Sequence, residues 1–274
     1  MSATPTLVTL DSGATVAVID QGEGPAILLL HGVCMSSLFF EKNIDSLSAN
    51  HRVIAMGFRG HGRSPSIEGG HTVGQYARDV HALLVDRDVT EVTGIGWSMG
   101  ALVLWDYLLQ FSDDGRISSV VIVSQGPSDF VQDGWPFGIA DIKGLHGFHQ
   151  AIQSDLSGFL GEFLPLMFAA ELPESDRSRL LESILPIGPN AASCILIDQT
   201  LSDYRVQIPS MTTPHLLVWG SDEKVIAQAS GTWLREHLPN SELHVFESSG
   251  HCPMWEEAEA FNRLVTEWIV RQGR

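Results

Sequence analysis

Short runs of aliphatic residues recur along the chain and predict the strands of a β-sheet. Most of these runs are apolar at nearly every position, whereas a strand with one face in water alternates polar and apolar side chains. Continuous apolar runs are typical of parallel strands that are buried on both faces. Seven runs fit this description, at residues 15–19, 26–30, 52–55, 92–96, 119–123, 215–219 and 242–246.

A second pattern lies between these runs, with apolar residues spaced three and four positions apart, and it predicts amphipathic helices. It is clearest at residues 72–85, where Val73, Tyr76, Ala77 and Val80 share one helical face, and it recurs at residues 101–111 and 256–270. Because predicted strands and helices alternate, the sequence indicates a doubly wound α/β fold.

The alternation is interrupted once, at residues 126–208, where no clear strand is predicted and Gly, Pro and aromatic residues are frequent. A structureless loop of that length is uncommon inside a compact domain, so we interpret the segment as an inserted cap of short helices. The predicted organisation is a core of residues 1–125 and 210–274 and a helical cap of residues 126–209.

The composition excludes several classes of partner. The 274 residues include 16 Lys and Arg against 33 Asp and Glu, a formal net charge of −17. No basic run is present, so binding to nucleic acid or to a membrane is not expected. The cysteines Cys34, Cys194 and Cys252 are odd in number and lack metal-site spacing, which favours reduced thiols. We see no signal peptide and expect a cytoplasmic protein.

The segment Gly96-Trp97-Ser98-Met99-Gly100 is the strongest indication of chemistry in the sequence. It joins a predicted strand to a predicted helix, the context in which a G-x-S-x-G motif forms a tight turn that exposes its serine above a sheet. The positive end of the following helix lies at the same point. The sequence therefore predicts Ser98 as a nucleophile.

A serine hydroxyl needs a base within hydrogen-bonding reach. His251 follows the last predicted strand and Asp222 follows the strand that ends at Trp219, so both are expected at the same sheet edge as Ser98. We predict His251 as the base and Asp222 as the acid that orients it. Asp129 is the alternative acid, but it lies in a Gly- and Pro-containing loop further from the end of its strand.

Acyl transfer also requires hydrogen-bond donors for the developing oxyanion. The segment His31-Gly32-Val33 follows the strand at residues 26–30, and the predicted donors are the backbone N–H groups of Val33 and Met99. His31 is expected to organise this loop rather than to react. No metal site is predicted. The candidate lining of the substrate pocket consists of apolar and aromatic residues: Trp97, Trp135, Phe137, Phe159 and Met167.

The chain resembles the α/β-hydrolase superfamily along nearly its whole length, and within it the small carboxylesterases and the cofactor-free haloperoxidases and perhydrolases. The resemblance rests on His31-Gly32, Arg59-Gly60-His61-Gly62-Arg63-Ser64, the Ser98 pentapeptide, Gly220-Ser221-Asp222 and Gly250-His251. It implies the α/β-hydrolase fold: a mostly parallel eight-stranded sheet with helices on both faces, a helical cap after the sixth strand, and no metal or organic cofactor. The chain departs from haloperoxidases at Cys34, where they commonly carry proline.

We therefore expect a serine hydrolase that cleaves a small or medium hydrophobic ester through an acyl-enzyme on Ser98. Attack by hydrogen peroxide, lactone hydrolysis and carbon–carbon bond hydrolysis are compatible with the same residues, and a ligand receptor on this fold is the non-enzymatic alternative. Because Cys34 does not restrict the backbone as proline does, we expect hydrolysis to dominate over peracid formation. We also expect Cys34→Pro to favour peracid. The sequence assigns no oligomeric state.

Overall fold

The computed structural model describes residues 4–273, and the strands in that range form one eight-stranded sheet. The sheet order is β1-β2-β4-β3-β5-β6-β7-β8. β2 pairs antiparallel with β1 and β4, and the remaining neighbours pair in parallel. The strands are β1 (Thr6–Thr9), β2 (Thr15–Gln21), β3 (Ala26–Leu30), β4 (Arg52–Met56), β5 (Val92–Trp97), β6 (Ile117–Val123), β7 (His215–Gly220) and β8 (Ser241–Phe246).

The seven predicted strands are all present, and every residue of β3, β5 and β7 is buried. Complete burial requires cover on both faces of the sheet, as the continuous apolar runs indicated. β1 has no such run, because Thr6, Leu7 and Thr9 of this four-residue edge strand are exposed. The six strands from β3 to β8 run parallel to one another, so their carboxyl ends lie at one edge of the sheet.

The three predicted helices of the core are present, and the described part of the core contains three further helices, α1, α7 and α8, that the sequence did not predict. α2, α3 and α9 lie where the spacing of apolar residues predicted helices. α1 is short and has few apolar positions, and α7 contains Gly231, whose missing side chain lets the helix approach the ring of Trp219. These helices are α1 (Glu41–Leu47), α2 (Val73–Asp86), α3 (Met99–Gln110), α7 (Gln228–His237), α8 (Pro253–Glu256) and α9 (Ala258–Arg271).

The segment between β6 and β7 is a helical insert, with α4 (Ile142–Leu166), α5 (Glu174–Ile184) and α6 (Pro189–Leu201). α4 is longer than predicted and contains a break at Asp155, whose φ of −157° and ψ of 84° are not helical. The carboxylate of Asp155 accepts the N–H of Gly158 at 2.9 Å and so begins a new helical turn. The insert lies over the carboxyl edge of the sheet, where Gly250 contacts the backbone of Met167 and Phe168.

Within residues 4–273, no single helix is long and apolar enough to span a membrane. Residues 174–187 and 189–201 reach that length and apolarity only as a pair, which is bent by 90°. Residues 1–3 and 274 of the predicted core lie outside the described range.

Candidate active site

Ser98 lies at the tip of the tight turn between β5 and α3. Its φ of 53° and ψ of −125° are a conformation that non-glycine residues rarely adopt. The turn also explains the two flanking glycines. A Cβ on Gly96 would lie 2.5 Å from the carbonyl carbon of Gly100, and a Cβ on Gly100 would overlap the carbonyl oxygen of Leu30. The turn therefore has no room for side chains at these two positions, and the glycines of the motif allow Ser98 to lie at its tip.

His251 follows β8 and is held by its backbone on two sides. Its N–H donates to the carbonyl of Met167 at 2.9 Å, and its carbonyl accepts the indole N–H of Trp97 at 2.8 Å. The preceding residue, Gly250, donates its N–H to the carboxylate of Glu256 at 2.8 Å. The indole of Trp97 lies 5.6 Å from the imidazole between ring centroids. Since Trp97 directly precedes Ser98, this contact brings the base to the serine turn.

The carboxylate that contacts His251 is Glu223, and the prediction that Asp222 does so is wrong. Glu223 Oε2 lies 2.9 Å from His251 Nδ1, and the two side chains are 0% and 1% exposed. The other oxygen, Oε1, accepts the backbone N–H groups of Val225 at 2.7 Å and Ile226 at 3.1 Å. Burial alone would raise the pKa of Glu223, but the charge and hydrogen bond of His251, with these N–H groups, hold that pKa below its usual value.

Asp222 points away from the site because its backbone is fixed to the histidine loop. Its N–H donates to the carbonyl of Ser249 at 3.0 Å, while its carboxylate is 52% exposed and pairs with Lys224 Nζ at 2.8 Å. The alternative acid, Asp129, is buried but does not hydrogen-bond to His251. Its oxygens accept amide N–H groups from Gln125 and Gln199 instead.

The loop after β3 lies directly against Ser98. A Cβ on Gly32 would lie 3.2 Å from the Cβ of Ser98, so a side chain at this position would press on the nucleophile turn. His31 fixes the loop, because its Nδ1 bonds to the carbonyl of Gly32 at 2.8 Å and its Nε2 accepts the N–H of Phe58 at 3.1 Å. Burial lowers the pKa of His31 to about 4, so the ring is neutral and acts as a structural bridge. Val33 and Met99, the predicted oxyanion donors, directly follow Gly32 and Ser98 in the chain.

An apolar cavity of about 220 Å³ opens at Ser98 between the sheet edge and the helical insert. Phe159, from the predicted lining, lies on its wall. A larger cleft of about 520 Å³, lined by Arg63 and Arg179 among others, contains none of the predicted site residues. The wall of the Ser98 cavity consists of Val33, Cys34, Met35, Ser98, Ile139, Phe148, Phe159, Leu160, Phe163, Leu166, Leu196, Gln199, Lys224, Val225 and Ile226.

The other four predicted lining residues lie elsewhere. Trp97 stacks on Phe39 at 4.9 Å between ring centroids and bonds to the His251 backbone. Trp135 packs against Phe137 and donates its indole N–H to Ser128. Met167 is buried, and its carbonyl accepts the N–H of His251. For Trp97 these contacts join residues far apart in the sequence, which residue type does not predict.

Cys34 lies on the cavity wall with a φ of +59°. A proline ring restricts φ to about −65°, so the expectation that Cys34→Pro would merely change the partition toward peracid is incompatible with this backbone. Burial raises the pKa of the Cys34 thiol to about 12, which keeps it protonated and unreactive.

Glu223 and Gln199 were not predicted as site residues, and neither were most of the apolar residues on the cavity wall. Glu223 is adjacent to the predicted acid, and the pair Asp222-Glu223 was a signal that two carboxylates compete for one position. Gln199 lies on α6, inside the segment that was predicted only as short helices. Within residues 4–273, no three His, Cys, Asp or Glu side chains are arranged to hold a metal ion.

Comparison with known proteins places this geometry in a family. The model of the alpha/beta hydrolase family matches residues 27–264. A pimeloyl-[acyl-carrier protein] methyl ester esterase of Nitrosomonas europaea is 27% identical over 256 residues, which cover 90% of this chain and 97% of that protein. A 2-hydroxy-6-oxononadienedioate/2-hydroxy-6-oxononatrienedioate hydrolase of Dechloromonas aromatica is 26% identical over 267 residues, which cover 94% of this chain and 88% of that protein.

Solved structures share the whole fold. An esterase from Exiguobacterium antarcticum superposes with a TM-score of 0.91 at 24% identity, covering 96% of this chain and 98% of that one. A bromoperoxidase from Bacillus anthracis gives a TM-score of 0.91 at 23% identity, covering 98% and 100%. Since the family model matches most of the sequence, the chain belongs to the α/β-hydrolase family.

Proposed function

We propose that the protein hydrolyses small hydrophobic carboxylic esters, with Ser98 as nucleophile, His251 as base and Glu223 as the acid that orients the base. The observation that carries this proposal is the buried Glu223–His251 pair, joined at 2.9 Å, beside the serine turn that opens into an apolar cavity. A carboxylate on Nδ1 selects the tautomer in which Nε2 is free to accept a proton.

In the acylation step, the Ser98 oxygen attacks the ester carbonyl while His251 Nε2 takes the hydroxyl proton. The negative charge that forms on the carbonyl oxygen is stabilised by the N–H groups of Val33 and Met99. Collapse of this intermediate breaks the bond to the alkoxy group, which leaves as an alcohol with the proton from His251. The imidazolium that forms in between is stabilised by the negative charge of Glu223.

In the deacylation step, His251 takes a proton from water as the water oxygen attacks the acyl carbonyl. The same two N–H groups stabilise the second oxyanion, and the proton returns to the Ser98 oxygen as the acid is released. Both steps use the same three side chains and the same two backbone N–H groups.

The size and polarity of the cavity support a small, uncharged substrate. The cavity volume of about 220 Å³ is small for a ligand pocket, since such pockets usually measure about 300–1,000 Å³. The one charged side chain on its wall within the described residues, Lys224, is already paired with Asp222. We therefore expect short, uncharged acyl groups to fit best.

The test is a chain-length series of p-nitrophenyl esters with wild type and Ser98→Ala, each with and without hydrogen peroxide. We expect kcat/KM to peak at short acyl chains, Ser98→Ala to be inactive, and little peracid at low millimolar peroxide. A single stoichiometric release of p-nitrophenol without turnover would instead indicate a receptor. Efficient peracid formation would be consistent with Ser98 as the nucleophile, but it would refute ester hydrolysis as the main reaction.

A further inference from the structure

The apolar cavity contains one buried amide whose oxygen has no partner. Gln199 lies on α6, is 2% exposed and lines the cavity that opens at Ser98. Its Nε2 donates to Asp129 Oδ2 at 3.0 Å. Its Oε1 has no hydrogen-bond partner among the described residues. A buried acceptor without a donor is unfavourable, so this oxygen requires an explanation.

Asp129 fixes which end of the Gln199 amide is left without a partner. Its other oxygen, Oδ1, accepts Nε2 of Gln125 at 2.7 Å, so the carboxyl group is held between two amides. Burial raises the pKa of Asp129 to about 7, although the hydrogen bond from Gln125 and the charge of His251 both act to lower this pKa. Once ionised, the carboxylate can only accept. Both glutamines must then present nitrogen to it, which leaves Gln199 Oε1 as the free end.

We propose that Gln199 is a specificity-determining residue whose Oε1 accepts a hydrogen bond from a hydroxyl group of the substrate. The proposal rests on the ester hydrolysis proposed above and names the substrate class, namely a small ester that carries a hydroxyl in its acyl or alcohol part. An amide oxygen accepts and never donates, so a methyl or ether group at the same position leaves it without a partner.

The sign of this selectivity separates the proposal from a plain apolar pocket. A purely apolar wall penalises a hydroxyl that replaces a methyl group, because the hydroxyl loses its bonds to water and gains none. A wall with a buried acceptor favours the hydroxyl and rejects the methyl analogue, since the analogue leaves the acceptor unpaired. The ratio of kcat/KM between hydroxyl and methyl members of a matched pair therefore reports on the acceptor alone.

The experiment measures that ratio by proton release at about pH 8, where Asp129 is ionised, for three matched pairs. They are methyl 3-hydroxypropanoate with methyl butanoate, methyl 6-hydroxyhexanoate with methyl heptanoate, and 2-hydroxyethyl butanoate with propyl butanoate. We expect the hydroxyl ester to be preferred in at least one pair. In Gln199→Met, which keeps the length of the side chain, that preference should fall by about 10-fold or more.

Leu196→Met is the matched control, since Leu196 lies one turn earlier on the same wall of the cavity. It is expected to change kcat/KM for both members of a pair and to leave their ratio unaltered. A ratio that is the same in wild type and Gln199→Met would overturn the proposal. So would a methyl preference in all three pairs of wild type, a result that does not depend on the variant folding.

The outcomes also separate this inference from the function on which it rests. Hydrolysis of the methyl esters with unaltered ratios refutes the role of Gln199 and leaves the esterase activity standing. No hydrolysis of any ester by wild type, together with no labelling of Ser98 by a phosphonate, refutes both.

Discussion

Glu223→Gln is the substitution that most sharply separates the observed acid from its neighbour. The change keeps the volume of the side chain and replaces one oxygen with an NH₂ group. Two backbone N–H groups, from Val225 and Ile226, point at Oε1, so that position must remain an acceptor. The NH₂ group is therefore directed at His251 Nδ1, which lies 2.9 Å from Oε2 in the native chain.

The resulting donor next to Nδ1 forces the wrong tautomer on the base. Nδ1 must then accept and Nε2 must carry the proton, so Nε2 can no longer take a proton from Ser98. The corresponding aspartate-to-asparagine change in a serine protease triad lowers turnover by about 10⁴-fold, equivalent to about 5.5 kcal/mol at 1.36 kcal/mol per factor of ten. We expect a loss of this size in kcat with Glu223→Gln.

Asp222→Asn is the matched control, because it makes the same chemical change one residue earlier. The Asp222 carboxylate is 52% exposed and paired only with Lys224, and exposed ion pairs contribute little. We expect kcat within about two-fold of wild type. Both variants are first checked by their unfolding midpoints, which must equal that of wild type, and are then assayed with one p-nitrophenyl ester. A large loss in Asp222→Asn with near-normal turnover in Glu223→Gln would refute the assignment.

Four further outcomes are expected. Ser98→Ala should lower ester turnover by about 10⁴-fold or more and keep the unfolding midpoint, since alanine can adopt the same turn; kinetics and calorimetry check this. Phe159→Ala should move the chain-length optimum to longer acyl groups, because the ring lines the cavity; the p-nitrophenyl ester series reports it. Cys34→Pro should lower esterase activity and the unfolding midpoint, because φ at this position is +59°; Cys34→Ala is its control. Burial lowers the pKa of His215 from 6.5 to about 4, so the unfolded chain binds a proton over this interval and the native state does not. Stability should fall with acidification, and between pH 6.5 and 5 His215→Gln should lose about 1.5 kcal/mol less than wild type, as measured by urea unfolding.

Most of the sheet could be predicted because its central strands β3, β5 and β7 are buried on both faces and are therefore apolar at nearly every position. β1 lies at the sheet edge with most of its side chains in water, so no apolar run identifies it. The length of α4 depends on Asp155, which breaks the helical backbone and begins a new turn within one continuous element. A pattern of apolar spacing does not distinguish such a break from two short helices.

The positions of Ser98 and His251 could be predicted because local motifs specify them. The glycines around Ser98 exclude side chains that the turn cannot hold, and this constraint acts over a few residues. The choice between Asp222 and Glu223 depends on the carbonyl of Ser249, which lies on another loop and binds the N–H of Asp222. That contact exists only in the folded chain, so the sequence pattern favoured the wrong one of two adjacent acids.

Covalent labelling with an aryl alkylphosphonate identifies the nucleophile itself, because the phosphonyl-serine adduct does not hydrolyse as an acyl-enzyme does. The labelled chain is digested and the modified peptide is mapped by mass spectrometry. The proposed role of Ser98 predicts one phosphonyl group per chain, on Ser98, formed in parallel with loss of esterase activity, absent in Ser98→Ala and much slower in Glu223→Gln. Complete inactivation with the label on another residue, or full activity with Ser98 labelled, would contradict it.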